Sequence, residues 1–91
     1  MSAADVLNRA ADLLERHGWC QDVYVDDAGR MCAQQALMQA EPDVYRRATA
    51  RRVLDEQAGF ESLNIPKWND QPGRTAKQII AAFRAAAERA S

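Results

Sequence analysis

Apolar residues recur at three- and four-residue spacing near both ends of the chain, which predicts an amphipathic helix at each end. The first helix is expected to begin at Ser2, where Asp5 completes a capping box, and to end at Gly18. The last helix is expected to begin at Thr75, with Gln78 completing a second capping box. The predicted buried faces hold Val6, Leu7, Ala10, Leu13 and Leu14 in the first helix, and Ala76, Ile79, Ile80, Phe83 and Ala87 in the last.

Two further helices are predicted in the middle of the chain. Residues 33–40 favour a short helix that stops ahead of Pro42, and residues 43–58 favour a longer one that ends at Gly59. The apolar residues of the longer helix spread over a broad arc, so the pattern defines no single buried face. Such an arc leaves room for a dimer, but the oligomeric state cannot be read from the sequence.

The segment between the first two helices has β-branched and aromatic residues too closely spaced for an amphipathic helix. Residues 19–25 favour an extended strand, residues 26–29 a turn, and residues 30–32 a returning arm. Together they predict a short β-hairpin between helices one and two. An irregular loop is the alternative, because a lone hairpin is marginally stable in water.

The stretch 65–76 contains Pro66 and Pro72, which fix φ and disfavour the α region for the residues before them. We therefore expect no helix between residue 65 and Gly73. The complete prediction is one mainly α domain over residues 1–91, a compact arrangement of four helices. Because much of the apolar content is alanine, large side chains must supply much of the driving force: Trp19, Tyr24, Tyr45, Phe60, Trp68 and Phe83.

The charge and hydropathy of the chain argue against binding to nucleic acid, binding to a membrane and secretion. Twelve basic and thirteen acidic residues give a net charge of −1, so no global field attracts the chain to nucleic acid or to an anionic membrane. No apolar run approaches the roughly 20 residues that span a bilayer, and no signal peptide is recognisable. We expect a cytoplasmic protein in which Cys20 and Cys32 are reduced thiols.

Four segments carry a resemblance to a known family, and the third and fourth are the most specific. They are Gly18-Trp19-Cys20-Gln21, Gly29-Arg30-Met31-Cys32, Ile65-Pro66-Lys67-Trp68-Asn69-Asp70 and Gly73-Arg74-Thr75-Ala76. The chain resembles, over nearly its whole length, an uncharacterised family of small actinobacterial and actinophage proteins. The resemblance implies a compact, mainly helical domain of phage origin in some members, and it implies no established activity.

The strongest candidates for a functional surface are Trp68, Asn69, Asp70 and Arg74. In a structural interpretation, Trp68 fills the core, Asn69 or Asp70 bonds nearby backbone amides, and Arg74 fastens the stretch. In a functional interpretation, the stretch contacts a partner protein, since Trp and Arg are enriched in interface hot spots. An arginine beside an aromatic residue is also placed to stack on it or to pair with a carboxylate.

The candidate catalytic residues and the candidate metal ligands overlap, since both sets include His17 and Cys32. Cys32 precedes a predicted helix, whose N-terminus would lower its pKa, and His17 is the available base, with Asp70 or Asn69 to orient it. His17, Cys20 and Cys32 lack the paired spacing of a zinc site. We therefore expect neither a metal nor a cofactor, and we retain a cysteine-dependent enzyme only as an alternative.

A nucleic-acid interface is the other alternative, through the arginines at positions 46, 47, 51 and 52. These arginines point around the helix, and acidic residues are interleaved with them, which favours a solvated face instead. The preferred hypothesis is a small non-catalytic interaction or regulatory protein with a protein partner. Together with the resemblance, it suggests a phage-derived accessory protein that binds a host protein.

Overall fold

In the computed structural model, which describes residues 1–59 and 64–91, the chain forms a compact, mainly helical globule. The terminal helices begin with the two predicted capping boxes, at Ser2 with Asp5 and at Thr75 with Gln78. The five helices of the described residues are α1 (Ala3–His17), α2 (Ala33–Ala40), α3 (Val44–Ala58), α4 (Ile65–Asn69) and α5 (Ala76–Ala90).

Helices α1 and α5 form the centre of the fold. The apolar stripe of α1 packs against that of α5, while α2 and α3 cover the remaining sides. The largest side chains that the fold buries completely come mostly from these four helices: Phe83, Leu7, Leu14, Leu37, Leu54, Ile79 and Val6. Hydrophobic burial therefore explains this part of the molecule, as the periodicity predicts.

The large aromatic residues divide between the core and the surface. Phe83 is fully buried and Trp68 is 7% exposed, but Tyr24 and Tyr45 are 57% and 88% exposed. Phe60 lies outside the described residues. The expectation that the aromatic side chains as a group hold the core together is thus wrong for the two tyrosines. Alanine and leucine side chains make up much of the buried core instead.

Helix α4 corrects the predicted helix count. We expected no helix before Gly73, yet residues 65–69 form one helical turn with Pro66 in its first turn. Proline is tolerated there because the first backbone N–H groups of a helix have no intrahelical partner and its fixed φ suits the helix. Pro72 lies beyond the end of α4, so it does not oppose the helix.

The predicted hairpin is also absent. Residues 18–32 form an irregular loop, and the structure assigns no β-strand within residues 1–59 and 64–91. Met31 makes two isolated bridges, a parallel one to Trp19 and an antiparallel one to Val25. The extended run breaks between them at Asp22, whose φ is +73°, so the strand pairing cannot continue.

None of the helices in the described part of the chain has the length and apolar character that crossing a bilayer requires.

Candidate functional site

Asn69, at the end of α4, lies at the centre of a buried polar network. Its Oδ1 accepts hydrogen bonds from Trp19 Nε1 at 2.6 Å and from the Ala33 amide at 2.9 Å. Its Nδ2 donates to the Cys20 carbonyl at 3.1 Å and to Asp70 Oδ1 at 2.9 Å. The side chain is fully buried, and all of its hydrogen-bonding capacity is used.

The network joins three parts of the fold that are distant in sequence. The Ala33 amide is among the first N–H groups of α2, which lack intrahelical acceptors, so Asn69 caps that helix from another element. Trp19 and Cys20 belong to the loop 18–32. The structural interpretation has Asn69 or Asp70 bonding nearby backbone amides, but the partners of Asn69, Trp19 and Ala33, are 50 and 36 residues away in the chain. No local sequence signal identifies such a pairing.

Neighbouring side chains extend the attachment of the loop to α4. Asp70 Oδ1 accepts a hydrogen bond from the Asp22 amide at 2.9 Å. Gln21 Nε2 donates to the carbonyls of Asn69 and Gln71, at 3.2 and 2.9 Å. These bonds hold Asp22 in the left-handed region, which asparagine and aspartate adopt more readily than most other residues.

Trp68 and Arg74 lie together on the other side of α4. The guanidinium carbon of Arg74 is 5.7 Å from the centroid of the Trp68 ring, and its Nε donates to the Trp68 carbonyl at 3.1 Å. Of the two predicted arrangements, the structure therefore has the stacked one. Within residues 64–91 no ion pair joins Arg74 to Asp70. Arg74 and Asp70 are half-buried, whereas Trp68 and Asn69 are buried.

The geometry does not support the predicted activation of Cys32. Its Sγ accepts a hydrogen bond from the Gln35 amide at 3.4 Å as the N-cap of α2. Burial raises the pKa of this thiol, the charge of Asp70 raises it further, and the helix-terminal amides oppose the shift without reversing it. The helix N-terminus does act to lower this pKa, as expected, but burial outweighs it, so the net shift is upward and the thiol is not activated. In the described residues, no hydrogen bond joins Cys32 to His17, which is exposed at the end of α1.

Cys20, the other thiol, is buried as well. Its Sγ donates to the Arg30 carbonyl at 3.2 Å, and burial is the largest cause of its raised pKa. Over residues 1–59 and 64–91, no group of three or more His, Cys, Asp or Glu side chains is arranged to hold a metal ion. The two thiols therefore pack within the loop and at its junction with α2.

The arginines of α3 do not form one continuous edge. Arg47 turns back to the start of its own helix, where Nη1 donates to the carbonyls of Glu41 and Pro42 at 2.9 and 3.0 Å. Arg46 and Arg52 are exposed, and Arg51 is half-buried. Their differing environments do not resemble a row of phosphate contacts.

The loop 18–32 exposes three consecutive apolar side chains that the sequence pattern assigned to a strand. Val23, Tyr24 and Val25 are 50%, 57% and 49% exposed. Next to them lies a cleft of about 240 Å³, which we call the loop cleft. It is lined by Asp22, Val23, Tyr24, Cys32, Pro66 and Asp70.

A second hollow, of about 410 Å³, is also lined by residues of α4. Its lining includes the cations Lys67 and Arg74, together with Trp68 and Gln71. Helix α4 thus contributes Pro66 to the loop cleft and Lys67 to the second hollow. Among the described lining residues, the charged ones are acidic in the loop cleft and basic in the second hollow.

Comparison with known proteins identifies a family without assigning a function. The model of a family of unknown function, DUF6197, matches residues 1–89. No curated protein and no solved structure matches the chain.

Proposed function

The chain therefore belongs to the DUF6197 family, whose function is unknown, and we propose that it is a non-catalytic binding module with a protein partner. The proposal rests on the loop 18–32, its attachment to α4 and its exposed apolar residues. A cysteine nucleophile has less support, since the Cys32 thiol is buried, burial raises its pKa, and no hydrogen bond within the described residues joins it to His17.

One observation carries the proposal: a buried asparagine fixes a loop whose outermost residues are apolar and exposed. Val23, Tyr24 and Val25 are about half-exposed, and contiguous apolar surface of this kind is typical of interaction sites. The bonds to Asn69 and Asp70 restrain the loop before any partner arrives. A restrained loop loses less conformational entropy on binding, which favours affinity.

The four predicted contact residues take different roles in this proposal. Trp68 and Asn69 are buried and act as supports, because they expose too little area to contact a partner directly. Asp70 and Arg74 are half-buried and remain contact candidates at the two sides of α4. A regulatory role in the cytoplasm, as a phage-derived accessory protein acting on a host protein, is consistent with the resemblance to actinobacterial and actinophage proteins.

Site-specific photo-crosslinking tests the proposal. A photoreactive phenylalanine analogue replaces Tyr24 in one variant and Tyr45 in a matched control, since Tyr45 is also an exposed tyrosine but lies on α3. In the cells that encode the protein, we expect a defined crosslinked protein from position 24 and not from position 45. Mass spectrometry would then identify the partner. No product from position 24, or the same products from both positions, would contradict the proposal.

A further inference from the structure

We infer that the loop cleft receives an arginine or lysine side chain from an extended basic segment of the partner protein. The inference rests on the proposed binding function and adds the chemistry of the partner.

Charge is the first argument. Asp22 and Asp70 line the loop cleft, and none of its lining residues within 1–59 and 64–91 is cationic. Asp70 Oδ1 accepts two N–H groups, whereas Oδ2 receives no hydrogen bond from residues 1–59 and 64–91. Asp70 is half-buried and lines the cleft, so this second oxygen is the atom that we infer meets a donor from outside. Charge complementarity of this kind favours a cationic group and selects against an acidic one.

The walls of the cleft match the rest of such a side chain. Val23, Tyr24 and Pro66 provide apolar surface beside the two carboxylates. Arginine and lysine combine an apolar stem with a charged end, so the stem fits against these walls while the end reaches a carboxylate. The Tyr24 ring adds a face on which a cation is attracted.

The volume of the loop cleft favours a single side chain over a small-molecule ligand as its occupant. The loop cleft encloses about 240 Å³, which is below the roughly 300–1,000 Å³ of small-molecule sites. A metal ion is a poorer match, because the described residues provide no set of three metal-ligating side chains. One side chain of a longer segment, whose neighbours contact Val23 and Val25, fits the cleft and the exposed apolar surface together.

The position of the carboxylate is fixed in advance. Asp70 is held by the Asp22 amide and by Asn69 Nδ2, and Asn69 is itself locked by Trp19 and Ala33. A basic side chain would therefore meet a carboxylate that needs little reorganisation.

Binding of synthetic peptides tests the inference. The probes are four libraries of fluorescent, capped heptapeptides, with arginine, lysine, glutamine or glutamate fixed at the centre and uncharged residues elsewhere. We expect the arginine and lysine libraries to bind about tenfold more tightly than the glutamine library at low salt, and the glutamate library not to bind. Equal binding of the arginine and glutamine libraries, or no binding of any library, would overturn the inference.

Two variants assign the binding to the loop cleft. Asp70→Asn keeps an oxygen acceptor for the Asp22 amide but removes the charge, and it should weaken arginine-library binding about fivefold. Lys67→Gln changes the basic hollow that α4 also lines and should leave binding unchanged. Circular dichroism checks that both variants are folded. If Asp70→Asn binds like the wild type, the inference fails.

The crosslinking experiment separates this inference from the proposed function. If Asp70→Asn weakens peptide binding about fivefold and reduces the crosslink from position 24, both stand. If the crosslink persists unchanged in Asp70→Asn, the binding function stands and the basic-segment inference fails. If the crosslinked product is a second copy of this chain, the inference of a separate basic partner is likewise overturned.

Discussion

The α1–α5 helix pair and the loop–α4 region are held together by different interactions. In the helix pair, Phe83, Leu7 and Leu14 are completely buried, and hydrophobic burial dominates. In the loop–α4 region, the fully buried Asn69 and the half-buried Asp70 hold the backbone through hydrogen bonds. Apolar burial is non-directional and scales with the area removed from water, whereas a buried hydrogen-bond network leaves a costly unsatisfied group when one partner is lost.

The largest expected effect comes from opening a cavity between α1 and α5. Phe83→Ala removes a fully buried ring and should lower the free energy of unfolding by about 3–5 kcal/mol. Urea denaturation followed by circular dichroism measures the loss. Phe83→Leu is the matched control and should cost clearly less than Phe83→Ala, because leucine fills more of the site than alanine does. Equal losses in the two variants would mean that packing in the helix pair is less close than the structure indicates.

Removing the asparagine side chain should affect the other region. Asn69→Ala leaves the Ala33 amide and the Cys20 carbonyl without a partner in a buried site, and the Trp19 Nε1–H without one in a half-buried site. We expect a loss of about 3 kcal/mol, since each unsatisfied buried group costs about 1–3 kcal/mol and relaxation recovers part of it. In hydrogen exchange, the loop 18–32 should lose protection while α1 and α5 keep theirs.

Asn64→Ala is the control for this prediction. Asn64 is the exposed N-cap of α4 and its side chain makes no capping hydrogen bond, so the substitution should cost less than about 0.5 kcal/mol. If Asn69→Ala is as mild as Asn64→Ala, the network does not stabilise the loop.

The two regions also differ in how well the sequence predicts them. The capping boxes at Ser2 and Thr75 and the apolar stripes of α1 and α5 are local patterns, so residues within four positions of one another determine them. The bond between Trp19 and Asn69 joins residues 50 positions apart and has no periodicity. The sequence pattern does not predict helix α4, because proline disfavours a helix interior, although the first turn of a helix accepts it.

The candidate site shows the same division. The sequence identifies residues 68–74 as a candidate site from their residue types: tryptophan, asparagine, aspartate and arginine. Which of these side chains are buried depends on tertiary packing, and a local sequence pattern does not predict that. The sequence predicts a short extended strand at Val23, Tyr24 and Val25, which are exposed in the structure, because β-branched and aromatic residues favour strands. Asp22 has a left-handed conformation, which breaks that strand. Two hydrogen bonds hold it there, from the Asp22 amide to Asp70 and from the Gln21 side chain to the Asn69 carbonyl.

A smaller effect is expected at the polar edge of the helix pair. Arg84 on α5 contacts Asp12 and Glu15 of α1 at 2.7 and 2.8 Å. Because these side chains are largely solvent-exposed, Arg84→Gln should cost only about 0.5–1 kcal/mol, and the cost should shrink in 1 M salt. Lys77→Gln, at an exposed position of the same helix, is the control. A loss above 2 kcal/mol that salt does not change would show that ion pairing matters here as much as apolar burial does.

The smallest effect is the pH dependence of the thiol that caps α2. Burial raises the pKa of Cys32 in the folded protein above its ordinary value of 9.0, so the folded state holds this proton more tightly than the unfolded state. The resulting stabilisation is complete below pH 9.0 and is lost as the pH rises through the folded-state pKa.

Cys32→Ser isolates this contribution, since serine retains the N-cap acceptor and does not titrate in this range. Between pH 8 and pH 10, the melting temperature of the wild type should fall more steeply than that of Cys32→Ser. Other groups that titrate at alkaline pH are common to both proteins, so the difference in slope belongs to the thiol. Parallel curves would mean that the Cys32 thiol is as solvated in the folded protein as in the unfolded chain, contrary to its position beneath the loop.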